Sequence, residues 1–186
     1  MKKFFIKIGR YSFSELNENL KEVLRKEVIL NFPEIYAFRK RFYFQIPPSH
    51  MFVARVNKVI AGQRYLTTKV RAIDGKRYKI AGIGISINPQ FQGKGIGQQL
   101  TESILNFSKK NKYDIVMATT VNPIAKYILK KAGFVEFKRG ITYKDVETKK
   151  IERDRYGVFI RDFQNGEIVG RINIKGDPVY MGIGAW

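Results

Sequence analysis

Ile85-Ser86-Ile87-Asn88-Pro89-Gln90-Phe91-Gln92-Gly93-Lys94-Gly95-Ile96-Gly97-Gln98 passes from an alternating apolar strand through a glycine-rich turn into a helix. Glycines at 93, 95 and 97 remove Cβ atoms, so backbone N–H groups can converge on an anion. The helix N-terminus behind them adds unpaired donors and the positive end of its dipole. In physical terms this is a pyrophosphate cradle. No Gly-Lys-Ser/Thr follows at the spacing of a nucleotide-triphosphate loop, and a dinucleotide fold would place its loop after the first strand of a parallel unit.

Upstream, the chain instead reads as an antiparallel meander. Met51–Arg55 turns at Asn57-Lys58 into Val59–Val70, a long strand with room for a bulge. Asp74-Gly75 is a two-residue hairpin signal leading into Tyr78–Ile87. Gly82 and Gly84 inside that strand point to a bulge or a close backbone approach. Earlier still, Phe4–Ile8 reads as a first strand. Ser12 and Glu15 have capping-box spacing ahead of an apolar stripe at Leu16, Leu20, Val23 and Leu24. Pro33 interrupts the stripe, and a second helix is expected over Ile35–Phe42, ending before Pro47-Pro48.

Downstream of the loop, a helix runs to about Lys110 with Ile96, Leu100, Ile104 and Phe107 on its buried face. Asp114–Ala118 reads as a buried strand. Asn122 is a good N-cap, Pro123 sits at the first helical position and Gly133 closes the helix. Further strands are expected at Val135–Tyr143 and Gly157–Phe163, then a final hairpin turning at Gln164-Asn165-Gly166. The order predicts an α/β fold: a mixed, largely antiparallel sheet with helices on both faces and a C-terminal β-hairpin extension over residues 164–186.

Composition bounds the partners. With 186 residues, 44% hydrophobic and 13% aromatic, one domain over 1–186 is expected, with ample material for a core. Zero cysteines exclude disulfides, thiolate metal sites and a cysteine nucleophile, and fit a cytoplasmic location. No metal site is expected. Nothing approaches the ~18 apolar residues of a membrane span, so no membrane partner is expected either. Formal net charge is +19, and residues 151–186 carry five cations against five anions, so the excess lies wholly in the first 150. A field of that sign attracts phosphates, on a nucleotide cofactor or on a nucleic acid. Equally, it describes a lysine-rich protein with solvated faces. Lys69, Arg71, Arg77 and Lys79 beside Asp74-Gly75 are the first candidates for a nucleic-acid contact.

The loop and its surroundings resemble the GNAT superfamily, the acetyl-CoA-dependent N-acetyltransferases. Gln92-Gly93-Lys94-Gly95-Ile96-Gly97 fits the Gln/Arg-x-x-Gly-x-Gly/Ala motif, prefaced by Ile85–Pro89. A second block follows in order: Asp114–Ala118, then Asn122-x-x-Ala125, then Lys131-Ala132-Gly133-Phe134. Together they make residues 78–137 the cofactor-binding core. The resemblance implies acetyl-CoA as acyl donor and an amine acceptor of unknown identity. It implies that the backbone of Ile85, Ser86 and Ile87 pairs with the pantetheine arm where two strands splay. Backbone amides of Gln92, Gly93, Lys94, Gly95, Ile96 and Gly97 would hold the pyrophosphate. Asn122 would bond near the thioester, or serve only as a helix cap. The helices before Pro47 would line the acceptor side.

Two departures leave the catalytic residues unknown. The family's proton-donating tyrosine falls at Leu129, and Tyr127 is about 200° around the helix from it. The family's glutamate on the strand before the loop has no counterpart in Ile80-Ala81-Gly82-Ile83-Gly84-Ile85. His50, the single histidine, reads as structural. The resemblance implies an N-acetyltransferase acting by direct attack of a primary amine. Its rivals are a GNAT enzyme acting on a nucleic-acid-borne amine, such as aminoacyl-tRNA or a base, and a non-catalytic protein binding CoA or nucleic acid.

Overall fold

The computed structural model describes residues 5–36, 43, 45–154 and 156–184. The expected helix over Ile35–Phe42 falls mostly outside them. After strand β1 (Ile6–Ser12), Glu15 does fold back, its carboxylate accepting the Ser12 N–H at 3.1 Å, but this closes a single 3-10 turn over Phe13–Glu15. Helix α1 starts later, at Glu18–Ile29, because Asn17 caps it by accepting the Leu20 N–H at 2.8 Å. That phase buries Leu24 and Val28 and leaves Val23 44% exposed, against the expected stripe. A short α2 (Pro33–Tyr36) follows.

Strands β2 (His50–Val56), β3 (Val59–Ile73) and β4 (Lys76–Ile87) form the meander. Both connections are two-residue turns with left-handed backbone, φ 49° and 70° at Asn57-Lys58, and 49° and 79° at Asp74-Gly75. Such turns match the strands' own twist and fix the register. The β2–β3 register shifts beyond Ala54, where Ala54 faces Gly62 and Arg55 faces Ile60, so the bulge lies at Ala61. Helix α3 (Ile96–Lys110), strand β5 (Ile115–Thr120) and helix α4 (Pro123–Lys131) complete the expected core.

β4 and β5 pair in parallel; the other ladders of the seven-stranded sheet, ordered β1-β2-β3-β4-β5-β9-β6 with β6 at Val135–Glu136 and β9 at Gly157–Asp162, are antiparallel. Alternation along the strands sorts side chains onto two faces. Phe52, Ala54, Ala81, Ile83, Val116 and Ala118 pack against Leu100 and Ile104 of α3 and Leu129 of α4. On the other face, Met51 and Val53 meet Leu24 and Val28 of α1. Further along that face, Ile80, Ile115 and Met117 meet Ile168 and Ile172 of α5 (Glu167–Ile172). Helices therefore cover both faces, as the sequence order implies.

The region after residue 134 departs from expectation twice. Val135–Tyr143 is two strands: β6 (Val135–Glu136) at the edge of the large sheet and β7 (Ile141–Lys144) in a second one, divided at Gly140 with φ 70°. Strand β8 (Ile151–Arg153) pairs with β7, and β9 (Gly157–Asp162) returns to the large sheet. No hairpin turns at Gln164-Asn165-Gly166. Buried Asp162 accepts the N–H groups of Gln164 at 3.0 Å, Gly166 at 2.8 Å and Val169 at 2.8 Å, which starts α5 instead. The last strand, β10 (Val179–Ile183), then pairs in parallel with β7, giving the order β10-β7-β8.

Side chains from β3 hold β10. The Lys69 ammonium, 6% exposed, donates to the carbonyls of Met181, Ile183 and Gly184, and Arg71 Nε donates to Met181 O at 2.7 Å. Replacing Lys69 by Met keeps the apolar stem and removes its bonds to Ile183 O and Gly184 O, while Met181 O keeps Arg71 Nε, at a cost of about 1–3 kcal/mol. The expected result is a lower melting temperature with faster amide exchange across Val179–Ile183. Unchanged exchange there would show that β10 is held by its ladder alone.

Candidate active site

β5 pairs with β4 over Ile80–Ile83, matched to Ile115–Ala118, and no further. Beyond that point β5 follows β9 through Thr120↔Gly157, while β4 follows β3 to Ile87↔Gly62. The two strands part, and the β5-facing edge of Gly84–Ile87 has no strand partner among the described residues. Because β4 and β5 are parallel, α3 and α4 both begin beyond their C-terminal ends. The opening therefore sits between two helix N-termini.

The glycine loop closes one side. Gly93 and Gly95 have φ 74° and 75°, and a Cβ at either would meet nothing within 4 Å. Gly95 precedes α3 with no side-chain cap, and the first helical bond runs from Gln99 N–H to Gly95 O at 3.1 Å. The N–H groups of Ile96, Gly97 and Gln98 precede that bond and have no acceptor among the described residues. Gly97 works differently from its neighbours: a Cβ there would lie 3.2 Å from Ile128 Cδ1 and 3.6 Å from Ile85 Cδ1, so its smallness lets α3 close on α4 and β4. Lys94 Nζ folds back onto Gln90 O at 2.9 Å and lies over the Phe91 ring.

On the α1 face, a polar seam fastens helix to strand. Asn31 Nδ2 donates to Ser86 Oγ at 2.9 Å, and Gln92 Nε2 donates to both Asn31 Oδ1 and Ile87 O at 3.3 Å. Asn88 Nδ2 donates to Glu27 Oε2 at 2.9 Å. The side chain of Ser86 thus faces α1, whereas Ile85 and Ile87 face α3. Sequence reading found Ser86 and Gln92 but missed Glu27, Asn31 and Asn88. The signal was faint: only an α1 phase set by Asn17 puts Glu27 and Asn31, one turn apart, toward β4.

The remaining candidates separate. Asn122 is a helix cap, its Oδ1 accepting from Ile124 N at 2.9 Å and Ala125 N at 3.2 Å. Leu129 is buried at 3% exposure and Tyr127 stands 65% exposed beside a groove between α3 and α4, as their angular separation requires. The His50 ring packs against Phe107, centroids 4.6 Å apart and planes tilted by 51°, on the α3 face away from α1; burial and then Arg10 push its pKa down. Among the described residues, no cluster of His, Asp or Glu is placed to hold a metal, and no helix is long and apolar enough to cross a membrane. Of the four cations proposed for nucleic acid, Lys69 is buried and Arg71 is bonded to β10, so they do not form an exposed patch. The hairpin tip is likewise engaged, Arg139 gripping both oxygens of Asp74 at 2.7 and 2.8 Å.

Glu27 carries a titration with a defined sign. Burial pushes its pKa above the ordinary value, and the Asn88 hydrogen bond only partly opposes this. A carboxyl raised in the folded state contributes stability below its unfolded pKa, and that contribution is lost as pH rises through the folded pKa. Glu27→Gln, which keeps an acceptor for Asn88, is expected to raise the melting temperature at neutral pH. The gain should shrink to nothing as the pH falls below about 4. A gain that is flat with pH would mean that Glu27 is not desolvated.

The GNAT acetyltransferase family model matches residues 17–134. No curated protein matches the sequence. A GNAT family acetyltransferase from Brucella melitensis, solved in complex with acetyl-CoA, has a TM-score of 0.56 at 15% identity, over 87% of this chain and 90% of that one. A Salmonella typhimurium structure with its cofactor acetyl-CoA gives 0.55 at 14%, over 86% and 94%. A conserved protein from Enterococcus faecalis V583 gives 0.54 at 13%, over 74% of this chain, which spans only 33% of that one. At these identities the likeness is one of fold. The family match runs from α1 through the glycine loop to the end of α4, more than half of the sequence, and the chain belongs to the GNAT acetyltransferase family.

Proposed function

We propose that the protein transfers an acetyl group from acetyl-CoA to a primary amine. The observation that carries this reading is a pair of open backbone sites at the two ends of the glycine loop. One is the β5-facing edge of Gly84–Ile87, which has no strand partner among the described residues, and the other is the set of N–H groups at the start of α3. An extended amide-bearing arm fits the first part, because a strand edge offers alternating donors and acceptors. A diphosphate fits the second, because converging N–H groups and the helix dipole favour negative charge there.

Each residue then has a defined task. Ile85, Ser86 and Ile87 act through their main chain, offering the arm the place that a β5 partner would take. Gly93, Lys94, Gly95, Ile96 and Gly97 form the anion cradle, Gln92 braces its edge with its own N–H on Pro89 O at 3.3 Å, and Lys94 can exchange Gln90 O for a phosphate oxygen. Asn122 fixes the start of α4 as its cap and keeps its amide N–H groups for the arm. Bound acetyl-CoA supplies the acyl group as a thioester. A main-chain N–H on the parted strand faces the carbonyl oxygen as it gains charge. Holding amine and carbonyl in line supplies much of the rate, since well-oriented neighbours can be worth ~7–11 kcal/mol.

Gly95→Asp tests the cradle. Its φ of 75° is tolerated by Asp better than by most residues, and no atom crowds the new Cβ, so the fold should survive. The carboxylate would occupy the anion's place. Calorimetry is expected to show acetyl-CoA weakened roughly 100-fold or more, about 2.8 kcal/mol. Unchanged affinity in the folded variant would overturn the site. Gly97→Asp is no substitute, because it forces a charge between Ile128 and Ile85.

A further inference from the structure

Tyr65 lies directly opposite Gly84 in the β3–β4 ladder. Its ring crosses from its own strand to the neighbouring one: a Cβ added at Gly84 would come closer than 3.0 Å to Tyr65 Cζ, Cε1 and Oη. The side chain packs with Leu24, Val28, Met51 and Val53, so it is on the α1 face. Gly84 is the first residue of β4 past Ile83, the last one paired with β5. The ring therefore reaches over β4 toward β5, and its hydroxyl stands at the mouth of the opening, where the strands begin to part. The absent side chain at Gly84, which in sequence looks like the loss of a functional group, is the space that this phenol fills.

We propose that Tyr65 is the proton donor of the transfer. This rests on the proposed function above, because it takes the thioester to lie where β4 leaves β5. The neutral amine nitrogen forms a bond to the carbonyl carbon, and the carbon–sulfur bond breaks. The Tyr65 hydroxyl gives its proton to the departing sulfur, yielding the free thiol. The proton that the nitrogen must lose passes through water to the phenolate and restores it, so amide and thiol leave with the enzyme unchanged. A phenol delivered from β3, across a glycine, replaces a group that α4 cannot supply from Leu129.

The test uses acetyl-CoA with hydroxylamine as the probe amine, following thiol release, with calorimetry for cofactor affinity. Tyr65→Phe keeps the ring and removes only the hydroxyl. It is expected to keep acetyl-CoA affinity within about twofold while turnover falls roughly 100-fold, the usual scale for a general acid. Gly84→Ala leaves the hydroxyl on the chain but drives the ring off the strand, and turnover should fall on a similar scale. The double variant should fall little further than either single one, since both remove the same interaction. Tyr65→Phe turning over within about threefold of the parent would overturn the assignment, whatever Gly84→Ala does. A parent protein that binds acetyl-CoA but releases no thiol would also overturn it, leaving the cofactor site standing. A parent that does not bind acetyl-CoA would instead overturn the proposed function and this inference with it.

Discussion

The β4–β5 ladder stops at Ile83↔Ala118 while β4 runs on for four more residues with, among the described residues, a strand partner on one side only. Backbone groups rarely go unpaired inside a protein, so a strand edge left open between two helix starts is a constraint on everything around it. It needs β5 to be drawn away, which β9 does by following β5 to Thr120. It needs β4 to be anchored from behind, which β3 does along its whole length and α1 does through Ser86 and Asn88. It also needs the helices beyond both strands to stay close without filling the gap, and Gly97 sets that distance against Ile128 and Ile85. The seam, the loop and the sheet order all keep one short edge open.

Much of this was legible because local chemistry agreed with the final topology. The turns at Asn57-Lys58 and Asp74-Gly75, the cap at Asn122-Pro123 and the glycine loop each declare themselves within a few residues. Counting outward from Asp74-Gly75 even places Tyr65 opposite Gly84, so the phenol over the glycine was within reach once register was taken as seriously as periodicity. What could not be read were decisions made across the chain. Asp162 turns a plausible hairpin into a helix by taking three N–H groups that lie after it. Gly140 splits one expected strand between two sheets. The Ser12 capping box formed only a 3-10 turn because Asn17 supplied a better start for α1.

Charge was the least legible property, because sequence counts cations without saying what they touch. Lys69 is drawn inside by three carbonyls, and burial followed by the neighbouring Arg71 pushes its pKa down to about 7. Arg64, 2% exposed, donates to Thr101 Oγ1 at 2.8 Å; burial lowers its pKa to about 9, and its Nε has no partner among the described residues. With no carboxylate on it among the described residues, this buried guanidinium is costly. It lies beneath the first turns of α3, where Thr101 Oγ1 donates onward to Gly97 O. Its field adds to that of the helix start above it. Part of the +19 charge is thus spent inside the molecule rather than displayed on it.

The bonds from Lys69 to β10 span 112 to 115 residues of sequence. At ~5–20 residues per second, a ribosome takes roughly 6 to 23 s to make the strand after making the lysine. Throughout that interval the lysine is solvated and fully charged. The face formed by Ile73, Tyr78 and Ile80 meanwhile waits for Val179 and Met181. The meander and α3 can associate early, but that half of the sheet stays open to water and to neighbouring chains. The vulnerable species is therefore a nascent chain with one apolar face uncovered until synthesis reaches β10.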